Sequence, residues 1–348
     1  MKRLAAIMCT AVLALCIVPF LSAFDEEHLE KLKLGVEPWN NWRNATGNKL
    51  VDLTEAVITN LDLWRAELSL TDLTSADLSG SSIRYSSFLR SRMVDTILRE
   101  CNFEGTSFAL SDMRRVQLGK SLLNNSRLQR CDLMQADFTD ARIDSSDLRE
   151  ADLQFATLSN TSFYRSDLTR AKLMGMKANR SSFENARMTY VQANFVQFTN
   201  VNLRYADLSH AELGGSTLSD CDLRYAKATL ADLHQARLVN SKLTDSNFSG
   251  IHATYAVIND CDLSGSKFTQ SSLAYANLRG SNLSRADFSR ASLRFADLEG
   301  VTIRDTLFID TDITSARIDW HWKGYLSLQR VRGLNAVHWI TNEQSNAR

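Results

Sequence analysis

Carboxylates, cysteines and histidines are the groups in this sequence that could carry chemistry. Carboxylates recur in pairs five residues apart, for example Asp72 and Asp77, and such pairs could serve acid–base catalysis if they converged in a cleft. The chain also contains 6 cysteines, which could form disulfides or bind metal. It contains no glycine-rich phosphate loop and no Cys-x-x-Cys pair. What these groups can do therefore depends on the element that repeats them.

That element is a five-residue period that runs without insertion or deletion from residue 51 to residue 320. The third residue of each five, from Leu53 to Ile318, is always Leu, Ile, Phe, Met or Ala. Two residues earlier stands a small side chain, with Leu61, Met176 and Ile251 as exceptions. A helix repeats near 3.6 residues and a strand at 2, so this period predicts a solenoid. The large and the small apolar residue of each five would point inward.

The repeated pattern Ala-(Asp/Asn)-Leu-x-x resembles that of the pentapeptide-repeat family. It appears as Ala-Asp-Leu-Ser-Gly at 76–80, Ala-Asp-Leu-Gln-Phe at 151–155, Ala-Asp-Leu-Ser-His at 206–210 and Ala-Asp-Leu-Glu-Gly at 296–300. The resemblance covers more than three quarters of the chain. It implies an all-β fold, a right-handed quadrilateral parallel β-helix in which four fives form one coil, with about 13–14 coils in all.

The repeat changes how the reactive groups are interpreted. Asp in the slot before Leu is habitual in this family, so the carboxylate pairs are no evidence of catalysis. An unbroken frame also supplies no long loops for a cleft, and we expect no enzyme, no cofactor and no metal. Four cysteines occupy the small inward slot, and we predict that they are free and buried: Cys101, Cys131, Cys221 and Cys261.

The first 23 residues are typical of an export signal. Lys2 and Arg3 precede an apolar run, and residues 21–23 form a cleavage site. We therefore expect an exported protein, periplasmic or secreted, without stable membrane insertion. The alternative is a membrane anchor through an uncleaved N-terminal segment, because the apolar run is near the shortest that spans a bilayer. The other cysteines, Cys9 and Cys16, would leave with the signal.

Both ends of the solenoid need covers, because an open coil exposes its core and an unpaired strand edge. We assign residues 24–50 to an N-terminal helical cap, with a helix from Glu26 to Val36 and Asp25 as its N-cap. The solenoid takes residues 51–320. Residues 321–348 form a C-terminal cap and a disordered tail.

Residues twenty apart should stack in columns along the outside of the solenoid. Two outward columns combine aromatic and arginine side chains, which favour protein interfaces. The first contains Tyr255, Tyr275 and Phe295, and the opposite side contains Arg204, Tyr205, Arg224 and Tyr225. We interpret these residues as a partner-binding surface. The alternative is that the rings stack on one another and only stiffen the coil.

The charge balance argues against nucleic acid as a partner, since 40 Lys and Arg residues match 40 Asp and Glu residues. We interpret the chain as a non-catalytic exported scaffold or protein–protein interaction module with an unknown protein partner. Association of copies through a cap is left open. The first alternative is a DNA mimic that binds a topoisomerase, as gyrase-protecting family members do, although those are strongly acidic and carry projecting loops. The second is an uncharacterised enzyme on a β-helix.

Overall fold

A computed structural model describes residues 24–47 and 49–341. The predicted export signal and residues 342–348 of the predicted tail lie outside the described residues. Each five-residue repeat turns the chain through one corner of a square coil. Every fifth residue from Glu55 to Ser315 has a positive φ, between 52° and 73°. In the first of these turns the Ala56 N–H donates to the Leu53 carbonyl over 3.2 Å, the geometry of a β-turn with a left-handed third residue.

Successive coils pair through short parallel strands, with partners twenty residues apart. Thr157 pairs with Lys177, Lys177 with Gln197 and Gln197 with Thr217. Isolated parallel bridges continue this register through the rest of the stack. The fold prediction is confirmed as a parallel β-solenoid of about 14 turns. Its named strands are β1 Val51–Asp52, β2 Thr71–Asp72, β3 Thr157–Ser159, β4 Lys177–Asn179, β5 Gln197–Thr199, β6 Thr217–Ser219, β7 Asp297–Leu298, β8 Arg317–Asp319 and β9 His338–Ile340.

The core fills the interior of the coils, as the period predicts. The third residue of every five, from Leu53 to Ile318, is buried, with at most 3% of its surface exposed. Hydroxyls in the small slot bond to neighbouring coils. The Ser86 Oγ donates to the Leu63 carbonyl over 2.7 Å and accepts the Ala66 N–H over 3.0 Å. Buried serines therefore cost little here, because both their donor and an acceptor site are used.

The four cysteines of the coils are free and buried, which confirms the prediction. Each thiol takes the place of a serine hydroxyl. The Cys131 Sγ, for example, donates to the Phe108 carbonyl over 2.8 Å. Burial raises the pKa of all four thiols to about 12, so they remain protonated at neutral pH.

The recurring aspartates have a structural role in the turns. The Asp77 Oδ1 accepts the Ser79 N–H over 2.9 Å, and the Asp72 Oδ1 accepts the Thr74 N–H over 3.0 Å. The carboxylates therefore hold their own turns and do not converge in a cleft. Among the described residues, no group of three or more His, Cys, Asp or Glu side chains is placed to hold a metal ion.

Two helices, not one, cover the N-terminal end. Helix α1 spans Glu26–Lys33 and α2 spans Val36–Thr46. The predicted helix to Val36 is too long, because Gly35, with φ 106°, separates the two helices. The Asp25 cap is confirmed, since its side chain accepts the Glu27 N–H. None of the helices within residues 24–47 and 49–341 has the length and apolar character needed to cross a bilayer.

The C-terminal end is closed by short helical turns and by a further strand. A 3₁₀ turn at Trp320–Trp322 leads into α3, Lys323–Ser327, and a second 3₁₀ turn spans Leu334–Ala336. Strand pairing continues past residue 320, because Arg332 pairs with Asp312 and β9 pairs with β8. The register is twenty residues at Arg332 but twenty-one at His338, which pairs with Arg317. The hydrophobic period does not indicate this continuation, because helical turns replace the repeat at residues 320–327 and an extra residue then shifts the register after Arg332.

Candidate interaction surface

Most exposed rings of the solenoid lie at its corners, with Trp64 as an exception. They occupy the left-handed fifth position of the repeat, where the backbone turns: Tyr85, Phe155, Tyr190, Phe195, Tyr205, Tyr225, Tyr255, Tyr275 and Phe295. Left-handed backbone is unfavourable for residues with a large side chain. Ring contacts between coils therefore have to offset the unfavourable free energy of the left-handed backbone at these positions.

The first predicted column forms a continuous ladder of rings. Tyr255 and Tyr275 stack with centroids 4.8 Å apart, and Tyr275 and Phe295 stack at 4.7 Å with planes 3° apart. The three side chains remain 51%, 46% and 42% exposed. Because neighbouring rings cover one another's faces, the ladder presents ring edges and tyrosine hydroxyls to solvent.

The second predicted column is a shorter ladder with two different arginines. Tyr205 and Tyr225 stack at 4.9 Å, and the Arg204 guanidinium lies 5.5 Å from the Tyr205 ring centroid. Arg224 instead binds Asp222 through two hydrogen bonds, one of them 2.8 Å from Nε to Oδ1. Burial alone would raise the pKa of Asp222, but the hydrogen bonds from Arg224 hold it below its usual range. Arg224 is therefore occupied by an ionised neighbour.

The structure does not bring the two columns together. Every five residues turn the chain through one corner of a four-cornered coil, so Tyr205 and Tyr255, fifty residues apart, lie at opposite corners. The seven predicted residues therefore form two separate strips on opposite sides of the solenoid. A partner that used both strips would have to wrap around the solenoid.

A third ladder was missed by the sequence analysis. Tyr190 and His210 stack at 4.6 Å with planes 4° apart, and Arg170 lies 5.9 Å from the Tyr190 ring. The spacing of twenty residues would have revealed it if histidine had been counted as a ring. His234 likewise lies 6.1 Å from Tyr255, edge to face, and extends the first ladder sideways.

Phe155 and Phe195 use glycine in place of a stacked ring. Each ring lies over the glycine one coil further on, Gly175 or Gly215. A Cβ at either glycine would stand 2.6 Å from a ring carbon, so a larger residue would displace the ring. Contact between a corner ring and the next coil is therefore general, whether the neighbour is a ring or glycine.

Charged side chains pair along the columns, both at the corners, as Arg115 does with Asp95, and on the flat faces between them. Arg115 and Asp95 approach to 2.6 Å, Lys227 and Asp207 to 3.5 Å, and Lys172 and Asp152 to 3.4 Å. Each pair joins adjacent coils. These faces therefore carry mixed charge rather than a continuous acidic or basic stripe.

Solved structures with a similar fold include other pentapeptide repeat proteins. HetL, involved in heterocyst differentiation regulation in the cyanobacterium Nostoc, is 21% identical over 79% of this chain and 95% of its own, with a TM-score of 0.41. A pentapeptide repeat protein from the Arabidopsis thaliana thylakoid lumen is 23% identical over 35% of this chain and 75% of its own, with a TM-score of 0.18. QnrB1, a plasmid-mediated fluoroquinolone resistance protein, is 16% identical over 71% and 88%, with a TM-score of 0.20.

No curated protein matches the chain. Two family models do match, and together they cover most of the repeats. The model described as "Pentapeptide repeat region" matches residues 193–268. The model described as "Pentapeptide repeats (8 copies)" matches residues 52–88, 76–115, 111–149, 146–176, 166–204 and 271–318. With its five-residue frame, left-handed corners and stacked coils, the chain belongs to the pentapeptide-repeat family.

Proposed function

We propose that this chain is an exported, non-catalytic scaffold that binds a protein partner through a corner ladder. The observation that carries the proposal is the stack of Tyr255, Tyr275 and Phe295, which is about half exposed and fixed between paired coils. Fixed aromatic groups lose little entropy when a partner orders against them. Their edges and hydroxyls suit the mixed polar and apolar character of protein interfaces.

The test is a crosslinked pull-down from the exported fraction. Bait variants convert Tyr255, Tyr275 and Phe295 together to Ser, and a matched control converts Tyr190 and His210, which form an equivalent ladder at another corner. The proposal expects a crosslinked protein that the wild type and the control capture and the triple variant loses. Equal capture by all three baits would reject the ladder as the binding surface. Recovery of the chain only from the cytoplasmic fraction would reject export.

The DNA-mimic alternative requires a different surface. A mimic of DNA needs a continuous row of negative charge, because DNA-binding proteins recognise the closely spaced phosphates of the DNA backbone. On this chain the columns mix both signs, as the pairs of Arg187 with Asp167 and Lys227 with Asp207 illustrate. The acidic run of Asp112, Asp132 and Asp152 is short and is followed by Lys172 in the same column. We therefore favour the interaction scaffold, and a gyrase supercoiling assay separates the two, since only the mimic would inhibit it.

A further inference from the structure

The second residue of each five directs its backbone N–H and carbonyl toward the preceding coil. The Asp77 N–H donates to the Ala56 carbonyl over 2.9 Å, and the Asp77 carbonyl accepts the Ile58 N–H over 2.7 Å. The first coil has no preceding coil. Its second-slot residues therefore direct the same groups out of the N-terminal end of the stack, where a cap, water or another chain must bind them.

The helical cap binds these groups on only part of the end. The Asp52 N–H donates to the His28 Nδ1 over 3.2 Å. The Glu67 N–H donates to the Asn40 Oδ1 over 2.9 Å, and the Glu67 carbonyl accepts the Trp39 Nε1 over 2.8 Å. Side chains of α1 and α2 thus hydrogen-bond to the two sides of the coil that carry Asp52 and Glu67.

The remaining half of the first coil, residues 57–64, is an open edge. Within residues 24–47 and 49–341, nothing bonds to the backbone N–H of Val57 or Asp62, or to the carbonyls of Val57, Thr59, Asp62 and Trp64. The side chains of Val57 and Trp64 are 68% and 43% exposed on the same edge. Unpaired donors and acceptors in this arrangement are a template for another strand.

We propose that the open edge 57–64 is a docking site for a segment of a partner protein, which adds to the solenoid as a further half-coil of two short strands joined by a turn. This inference deepens the proposed function, because it names a place and a class of partner. When a strand is added to an edge, its backbone hydrogen bonds provide affinity and its alternate side chains provide specificity. The edge turns a corner at Asn60, which has φ 56°. The segment that fits it therefore follows the course of the solenoid's own chain, as two short extended stretches joined by a turn.

The ends of another copy do not fit this edge. At the C-terminal end all four outward carbonyls of the last coil are already bound. The Val301 carbonyl accepts from Trp322, the Thr306 carbonyl from Tyr325, the Thr311 carbonyl from Arg332 and the Ala316 carbonyl from His338. A copy meeting the edge with its N-terminal end would bring its own α1 and α2 against those of the first. A single strand is thin enough to lie beside the helices.

The side chains around the edge define the chemistry of the segment. Glu55, Asp62 and Asp77 lie around it. The cations near it are Arg65, 4.3 Å from the Trp64 ring centroid, and Arg84, one coil beyond Trp64. Opposite charges favour cross-strand positions, as do pairs of apolar residues. The fitting segment therefore has an apolar residue opposite Val57 and a basic residue opposite Asp62, five positions later.

The test uses amide hydrogen exchange of the full chain with a defined peptide. The probe is Ala-Val-Ile-Thr-Asn-Leu-Lys-Leu-Trp-Arg-Ala, the chain's own residues 56–66 with Lys in place of Asp62. The control peptide has Pro in place of the Ile and the second Leu, which removes the N–H groups that would reach the edge. We expect the probe to slow exchange at Val57 and Asp62 by about tenfold at saturation and the control peptide to leave it unchanged.

Each other outcome overturns the proposal and identifies what replaces it. No slowing at millimolar probe, or equal slowing by both peptides, rejects strand addition. If these amides are protected without peptide, and the protection increases with protein concentration, the edge is occupied by a second copy of the chain. If the protection is lost in a variant that lacks residues 1–23, the edge is occupied by those residues. These results do not depend on the Tyr255 ladder, so failure here is distinct from failure of the ladder as a binding surface.

Discussion

The two ends of the coil stack face the same problem and are covered in different ways. At the C-terminal end the chain makes a further, irregular coil, and backbone and side-chain groups there bind all four outward carbonyls of the last coil. At the N-terminal end two helices bring His28, Trp39, Asn40 and Arg43 to part of the first coil. On the rest of that coil, residues 57–64, the outward backbone groups have no partner within the part of the chain that the structure describes.

The comparison teaches that covering a core and covering an edge are separate tasks. Both ends bury their apolar interiors, since Trp39 and Leu326 are 0% exposed. Helices, however, satisfy their own backbone and can offer only side chains to a neighbouring strand. A helical cap can therefore protect the core completely while it leaves part of the edge unpaired.

The largest expected effect is loss of the tryptophan at the core of the helical cap. Trp39 is fully buried and its indole donates to the Glu67 carbonyl. We expect Trp39→Ala to lower the free energy of unfolding in urea by about 3–5 kcal/mol. Trp322→Ala, at the other end, removes a partly buried ring and a 3.2 Å bond to Val301, and should cost less. A greater loss of unfolding free energy in Trp322→Ala would show that the C-terminal cap stabilises the chain more than the N-terminal cap does.

Proline substitution distinguishes an open edge from a paired one in the same column. The Ile97 N–H donates to the Ala76 carbonyl over 2.9 Å, so Ile97→Pro should cost about 3 kcal/mol or more. Val57 occupies the same column in the first coil, where its N–H has no partner among the described residues. Val57→Pro should therefore be much milder when the two variants are compared by thermal unfolding. Equal losses would show that the Val57 N–H is bonded.

A matched pair of side-chain amides compares the two caps directly. Asn40 accepts the Glu67 N–H and donates to the Arg65 carbonyl, both over 2.9 Å. Gln329 accepts the Phe308 N–H over 2.6 Å and donates to the Thr306 carbonyl over 2.9 Å. We expect Asn40→Leu and Gln329→Leu each to cost about 1–3 kcal/mol in urea unfolding, because each leaves backbone groups without a bond. A loss at one end only would show that the other amide is replaced by water.

The smallest expected effect is a difference in local opening between the two ends of the coil stack, which can be measured by labelling the buried thiols. Cys101 and Cys261 lie at similar distances along the chain from the first and the last repeat. Burial raises the pKa of both to about 12, so labelling at neutral pH requires local opening of the coils. We expect Cys101 to label several-fold faster than Cys261, by mass spectrometry, because the N-terminal end is the less completely bonded. Faster labelling of Cys261 would contradict the comparison of the ends.

The sequence predicts the interior and the ladders because both follow directly from the period. Inward burial from Leu53 to Ile318 and the stacking of Tyr255 on Tyr275 need only the rule that residues twenty apart are neighbours. The left-handed corners are not evident, because residues other than glycine, tyrosine and arginine among them, occupy most of these positions. Helix α2 is obscured by Pro38, which the structure places in its first turn, where its missing N–H costs no bond.

The sequence predicts that both ends of the solenoid are capped, but it does not predict the structure of either cap. Rings near residues 39 and 320 indicate caps, yet which backbone groups they bind depends on where each helix ends. The shift of one residue between Arg332 and His338 also hides the last coil from any analysis based on a fixed frame. Whether Tyr255, Tyr275 and Phe295 bind a partner stays a prediction, because stacking explains their order without one.

The most direct measurement is amide hydrogen exchange, residue by residue, on the purified chain. The account predicts that the Val57 and Asp62 amides exchange about as fast as those of an unfolded peptide. The Asp77 and Ser82 amides, one coil further on in the same columns, should be strongly protected by their bonds to Ala56 and Leu61. Equal protection at all four positions would contradict the open edge and the half-covered N-terminal end on which the comparison rests.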